Sequence, residues 1–154
     1  MVATDRASAS AAHWTPRQYE NLFQAHDGGI QRLALVAGQV AGQGEAAPSD
    51  PPDSGGPKNL AGFLIARHVA PDWELENIVV SAAARRMGIA KCLVDALLSA
   101  ARETDSQAVF LEVRDSNTAA RKLYEKAGFR PTGSRKSYYS SPLEDAVLYR
   151  RNLP

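Results

Sequence analysis

The spacing of apolar residues changes along this chain between the period of a strand and the period of a helix. Apolar residues alternate with polar ones over 107–114, where Val109, Leu111 and Val113 share one face, and the segment 73–80 ends in a continuous apolar run. These patterns predict strands over 30–37, 60–69, 73–80, 107–114, 130–138 and 143–150. The predicted strands account for most of the second half of the chain.

Helices are predicted over 88–103 and 117–127, with a shorter one from Thr15 to about Ala25. In the first of them, apolar residues recur every three or four positions and form one wide stripe. The stripe comprises Ile89, Cys92, Leu93, Ala96, Leu97 and Ala100. Cys92 is therefore expected to be a buried, inert thiol. In the second helix, Asn117 can cap the start and Gly128 can close the end.

The order of these elements predicts an α/β fold, with a mixed sheet and helices packed on it. Residues 1–12 are small and polar and show no apolar face, so we interpret them as a flexible N-terminal arm. Residues 13–154 form the single predicted domain. Within it, the segment 38–58 contains five of the chain's 11 glycines and four of its 9 prolines. This composition indicates a mobile loop.

The amino-acid composition and charge of the chain exclude several classes of function. The chain has 154 residues, 44% of them hydrophobic and 23% charged, as in one soluble domain. Lys and Arg number 18 against 17 Asp and Glu, so strong attraction to nucleic acid or to an acidic membrane is not expected. One cysteine excludes an internal disulfide, and the three histidines lack ligand spacing, so no metal site is predicted. Because no signal peptide or membrane span is evident, we expect a cytoplasmic protein.

The segment from Arg85 to Ala90 lies between a buried strand and a long amphipathic helix. Amides at the start of a helix, with the helix dipole behind them, suit a pyrophosphate. Gly88 permits close approach of a ligand, and Ala90 leaves room for it. Because a strand, a turn and a glycine often precede a helix, the motif alone is equally consistent with a solvated pair of arginines.

The segment 85–90 is the second of four motifs that follow one another along the chain, at 77–80, 85–90, 111–117 and 123–129. Together they resemble the GCN5-related N-acetyltransferase (GNAT) superfamily. Within that superfamily, the run Leu-Glu-Val-Arg-Asp-Ser-Asn at 111–117 is similar to the RimI-type ribosomal-protein alanine N-acetyltransferases, as are 135–139 and 144–146. The resemblance extends over about 60–152.

The resemblance implies a mixed, mostly antiparallel GNAT-like sheet flanked by helices, with the family's first strand and helix missing from this chain. It also implies transfer of an acetyl group from acetyl-CoA. The general base would be Glu112 and the general acid Tyr124. The coenzyme-binding residues would be Ile78, Val79, Val80, Arg85, Arg86, Met87, Gly88, Ile89, Ala90, Lys91 and Asn117.

The chemistry of these side chains leaves alternatives open. The strand pattern alone favours Glu112 as an ordinary carboxylate that pairs with a neighbouring cation, and Glu76 is the second candidate for the base. Tyr124 on the inner side of its helix would, without the resemblance, be a core aromatic that contacts Phe129. A phenol is also a weaker acid than a thiol, so Tyr124 would stabilise a leaving thiolate by a hydrogen bond as much as by proton transfer.

The acceptor implied by the resemblance is a peptide N-terminus, in the RimI type that of a ribosomal protein that begins with alanine. Tyr138 and Tyr139 would help to form the peptide groove. Two other functions stay open from the sequence: acetylation of a small-molecule amine, and an acetyl-CoA-binding module without turnover. We expect a monomer or a homodimer, and no nucleic-acid partner.

Overall fold

The computed structural model describes residues 31–38 and 60–154. Within these ranges six strands form one sheet, in the order β1-β2-β3-β4-β6-β5. The strands are β1 (Arg32–Gly38), β2 (Leu60–Val69), β3 (Asp72–Val80), β4 (Ala108–Arg114), β5 (Arg130–Ser140) and β6 (Leu143–Asn152). The helices are α1 (Ile89–Glu103) and α2 (Thr118–Lys126), and a short 3₁₀ turn covers Ala82–Ala84.

Only the β3–β4 pair is parallel among the strand pairs of the described ranges; the other four pairs are antiparallel. This arrangement confirms the predicted mixed, mostly antiparallel sheet, and the predicted strand and helix bounds agree with the observed ones to within about two residues. The predictions for the arm at 1–12, the early helix, the missing first strand and the loop at 38–58 beyond Gly38 lie outside the described residues.

Helix α1 packs on the sheet through a buried stripe that differs from the predicted one. The buried residues are Leu93, Val94, Leu97, Leu98 and Ala101. The predicted burial of Cys92 is wrong, because Cys92 is exposed. Both sets of residues have helical spacing, but the set that faces the sheet is rotated by about one residue, or roughly 100°. Helical periodicity alone does not determine which of two overlapping faces of α1 packs against the sheet.

Strands β3 and β4 pair only from Trp73 to Leu75 and from Val109 to Leu111, and they separate beyond that point. The separation coincides with an irregularity in β3, whose register with β2 passes from Leu75 to Asn77 and leaves Glu76 unpaired. An extra residue of this kind bends a strand locally. The two strands therefore diverge toward Val80 and Arg114, and a cleft opens between them.

Helix α2 closes one side of this cleft. Its start is capped by Asn117, whose Oδ1 accepts a hydrogen bond from the Ala120 amide at 3.2 Å, as predicted. Its buried residue is Tyr124, which packs edge-on against Phe129 with ring centres 5.8 Å apart. A membrane crossing would need a longer and more apolar helix than either α1 or α2.

Candidate active site

The cleft between the diverging strands is a cavity of about 620 Å³. It is bounded by the end of β3, the turn before α1, the end of β4 and helix α2. Of the catalytic and binding candidates from the sequence, those that line it are Glu76, Ile78, Val80, Arg85, Arg86, Gly88, Ile89, Ala90, Lys91, Glu112, Asn117, Tyr124 and Tyr139. Val79 is buried just behind the cleft wall, Met87 is exposed beside it, and Tyr138 lines a second cavity.

The turn before α1 lies at the end of the cleft. Arg86 and Gly88 both have left-handed backbone, with φ of 64° and 80°. Gly88 is the cap residue and supplies no side chain, and the first turn of α1 carries no acidic residue. An uncapped helix start with alternating left-handed residues is a favourable site for an anion. The sequence motif and the backbone geometry thus point to the same ligand chemistry.

Cationic side chains surround this turn on two elements. Arg85, Arg86 and Lys91 belong to the turn and α1, while Lys122 and Lys126 line the cleft from α2. The two α2 lysines were missed by the sequence analysis, although their spacing of four residues places them on one helix face. Asn117 lines the same wall, so its capping role and a ligand contact are compatible.

Glu112 lies where the cleft meets a second cavity of about 370 Å³, and it lines both. Its side chain is only 15% exposed, and its Oε1 lies 3.0 Å from Nη1 of Arg135. The Tyr138 hydroxyl interacts with the same carboxylate, and this interaction is the main reason why the pKa of Tyr138 is raised to about 12, with burial as the second. The pairing with a cation that the sequence analysis considered is therefore present, at a position that faces both cavities.

Glu76 lines the same cleft from β3. Burial raises its pKa above the ordinary carboxylate value, and Arg32 and Arg67 oppose that rise. The two guanidinium groups lie 3.4 Å and 3.5 Å from its carboxylate oxygens. Glu76 therefore remains the second candidate for a base.

Tyr124 presents its phenol to the cleft from α2, although the residue is only 3% exposed. Burial raises its pKa well above the ordinary phenol value, and the nearby Tyr139 adds to that rise. The hydroxyl consequently stays protonated at neutral pH. In this environment Tyr124 is suited to donate a hydrogen bond to a negative charge in the cleft.

Two tyrosines from the end of β5 stand beside Glu112. The rings of Tyr138 and Tyr139 meet edge-on with centres 5.1 Å apart, and the Arg114 guanidinium lies 4.1 Å from the centre of the Tyr139 ring. Tyr139 lines the cleft and Tyr138 the second cavity. Each ring thus shares one of the two cavities with Glu112, while the predicted contact of the rings with a peptide stays a prediction.

Glu144 of β6 fixes the loop that leads to Asn117. Its Oε1 accepts a hydrogen bond from the Ser116 amide at 2.6 Å, and its Oε2 lies 3.2 Å from Nη1 of Arg114. The Ser116 amide is the main reason why the pKa of Glu144 is lowered. This carboxylate joins the hairpin β5–β6 to the loop that precedes α2.

The lowered pKa of Glu144 predicts a dependence of stability on pH. A carboxylate whose pKa is lowered by folding stabilises the fold above its unfolded value, here 4.5, and this contribution is lost as the pH falls through the lowered value. We expect the free energy of unfolding to fall between pH 5 and pH 3, and to fall less steeply in Glu144→Gln. Urea unfolding across this range measures the two slopes, and identical slopes would contradict the assignment.

The side chains of the described residues do not place three or more His, Cys, Asp or Glu groups where they could share a metal ion.

Comparison with known proteins gives the family of this chain. The model of the acetyltransferase (GNAT) family matches residues 3–129, which is more than half of the chain. A [ribosomal protein bS18]-alanine N-acetyltransferase from Haemophilus ducreyi is 37% identical over 93 residues, which are 58% of this chain and 64% of that relative. The matched segment thus spans less than two thirds of the relative's length.

Solved structures show the same fold. The crystal structure of the ribosomal-protein-S18-alanine N-acetyltransferase from Escherichia coli covers 98% of this chain and 85% of its own, with a TM-score of 0.74 and 24% identity. Ard1 from Thermoplasma volcanium is 32% identical, covers 62% of this chain and 65% of its own, and has a TM-score of 0.59. The resemblance drawn from the sequence motifs is confirmed at the level of family and fold.

Proposed function

Because this chain belongs to the GNAT family of acetyltransferases, we propose that it transfers the acetyl group of acetyl-CoA to the N-terminal α-amine of a peptide. The observation that carries the proposal is the cleft itself, in which an open helix start, a buried phenol and the Glu112 carboxylate line one continuous surface. The matched relatives named for ribosomal protein bS18 support an N-terminal alanine as the first acceptor to test.

Acetyl-CoA would bind along the cleft with its diphosphate at the turn before α1. The amides of 86–91 would hold the diphosphate, because they start α1 without a capping side chain. Arg85, Arg86 and the lysines of α2 would balance its charge. The open left-handed turn at Gly88 fits this group, since no neighbouring atom lies within 4 Å of the position that a Cβ would take. Bound there, the coenzyme supplies an activated acetyl thioester.

The end of β3 would orient that thioester. Successive N–H groups of a strand point to opposite edges, so of Val79 and Val80 one amide faces β2 and the other faces the cleft. The amide that faces the cleft would donate to the carbonyl oxygen as negative charge develops on it. This role needs backbone alone, which agrees with the burial of Val79 behind the wall.

Glu112 would accept a proton from the attacking amine, directly or through a water molecule. An α-amine has an ordinary pKa of about 7.7–8.0, against about 10.4 for lysine, so freeing it at pH 7 costs roughly 3 to 4 kcal/mol less. A modest base is therefore sufficient for an N-terminal substrate. The position of Glu112 between the two cavities allows the coenzyme and the acceptor to approach it from different sides.

Tyr124 would stabilise the leaving thiolate by donating a hydrogen bond. We expect Tyr124→Phe to lower kcat by about 10-fold or more, the worth of a hydrogen bond to a charged group. The affinity for acetyl-CoA should change by less than about threefold, because phenylalanine keeps the packing against Phe129. Steady-state kinetics together with calorimetry of acetyl-CoA binding test this. A large loss of binding with kcat preserved would mark Tyr124 as structural.

Mass spectrometry of a peptide panel tests the proposed function. The protein is incubated with acetyl-CoA and peptides that differ in their N-terminal residue, with polyamines and aminoglycosides as competitors. Acetylation at the α-amine, with alanine preferred, is the expected result. Preferential acetylation of the small amines would overturn the choice of acceptor, and tight acetyl-CoA binding without any product would indicate a binding module without turnover.

A further inference from the structure

A bulge of three residues against one interrupts β5 next to the site. Arg135 pairs with Ala146 and Tyr139 pairs with Glu144, so the three residues from Lys136 to Tyr138 stand opposite Asp145 alone. Ser137 at its centre has left-handed backbone, with φ of 48°. Such a conformation is unfavourable for a residue other than glycine unless the surrounding structure holds it.

The side chain of Asp145 contacts this bulge at two residues, and its hydrogen bond with the Ser137 amide is the one that holds the strained backbone. Its Oδ1 accepts a hydrogen bond from the Ser137 amide at 2.9 Å, and its Oδ2 accepts one from Nζ of Lys136 at 2.6 Å. The amide belongs to the strained residue itself, so the carboxylate replaces the bond that a regular ladder would provide. The pKa of Asp145 is accordingly lowered by these two groups.

The residues on either side of the bulge's centre are those that contact Glu112. Arg135 forms the ion pair at 3.0 Å, and Tyr138 lines the same cavity as Glu112 and interacts with its carboxylate. Because side chains along a strand alternate between its two faces, a one-residue slip in this segment would turn both away from Glu112. The register of the bulge therefore determines how Glu112 is held on its acceptor side.

We propose that Asp145 is a positioning residue, which holds the bulge at Ser137 and thereby holds Arg135 and Tyr138 against Glu112. The proposal rests on the proposed function, in which Glu112 faces the acceptor. The main chain of Asp145 acts separately: its carbonyl accepts a hydrogen bond from the Asp115 amide at 3.2 Å. That bond toward the coenzyme side of the cleft does not depend on the side chain.

Asp145→Ala should raise the acceptor KM and lower kcat/KM for the peptide by about 10- to 100-fold, since small displacements of a catalytic group have effects of this size. The Kd for acetyl-CoA should stay within about twofold, because the Asp115 contact is retained. Asp145→Asn keeps an oxygen for the Ser137 amide and should recover most of the loss. Lys136→Gln removes only an exposed partner, whose side chain is 83% exposed, and is the matched control with unchanged kinetics.

Limited digestion with trypsin gives a measurement that does not use activity. Cleavage after Arg135 should be faster in Asp145→Ala than in the wild type and should return toward the wild-type rate in Asp145→Asn. Unchanged cleavage, or an unchanged acceptor KM in a variant that still binds acetyl-CoA, would overturn the proposal. A wild type that acetylates no peptide would instead contradict the proposed function, and the cleavage rates would still test whether Asp145 holds the bulge.

Discussion

Glu112→Gln is expected to lower kcat by about 10²- to 10³-fold, within the range that general base catalysis contributes. Glutamine has nearly the same shape, so it keeps the strand position and an oxygen toward Tyr138, but it cannot take the proton of the amine. The affinity for acetyl-CoA should change by less than about threefold. Rapid-quench or steady-state kinetics with the preferred peptide, together with calorimetry, measure the two quantities.

Glu76→Gln is the matched control, because Glu76 lines the same cleft and is also held by guanidinium groups. We expect it to retain kcat to within about fivefold, a smaller effect than the loss of a general base. The reverse pattern, with turnover lost in Glu76→Gln and kept in Glu112→Gln, would show that the base is Glu76 on β3 and not Glu112 on β4. The half-buried environment that raises the pKa of Glu76 would then be the reason.

Gly62→Ala is the second change with a large expected effect. A Cβ at this position of β2 would lie 2.7 Å from the backbone oxygen of Val79, and within 3.3 Å of side-chain carbons of Val80 and Ile89. The backbone of β3 must shift to relieve this contact, and overpacking of this kind costs about 1 to 3 kcal/mol. This shift would displace the end of β3, the part of the strand that would orient the thioester. We therefore expect lower stability and acetyl-CoA affinity weakened by about 10-fold or more.

Gly133→Ala provides the control for this variant. A Cβ at Gly133 of β5 would have no neighbouring atom within 4 Å, so its stability and coenzyme affinity should match the wild type. Thermal unfolding and calorimetry of acetyl-CoA binding compare the three proteins. A Gly62→Ala protein with wild-type affinity would show that the end of β3 does not bind the coenzyme.

The helices and strands of the described residues could be predicted because the sequence patterns that indicate them are local. Alternation over 107–114 and the cap at Asn117 depend on neighbours within a few positions, and both agree with the structure. The exposure of Cys92 could not be predicted in the same way. Which face of α1 meets the sheet depends on how β2, β3 and β4 are aligned beneath the helix, and these strands are distant from it in the chain.

The features of the candidate site also fall into two groups, those that the sequence predicted and those that only the structure shows. The open helix start at Gly88 and the order of the four motifs are properties of short segments, so the sequence alone determined the family, the fold class and the coenzyme chemistry expected at that turn. Only the tertiary structure decided that β3 and β4 separate at Glu76, and that Arg135 pairs with Glu112. The physical reason is that strand register and side-chain pairing between distant segments depend on the packing of the whole sheet, which no local pattern of residues records.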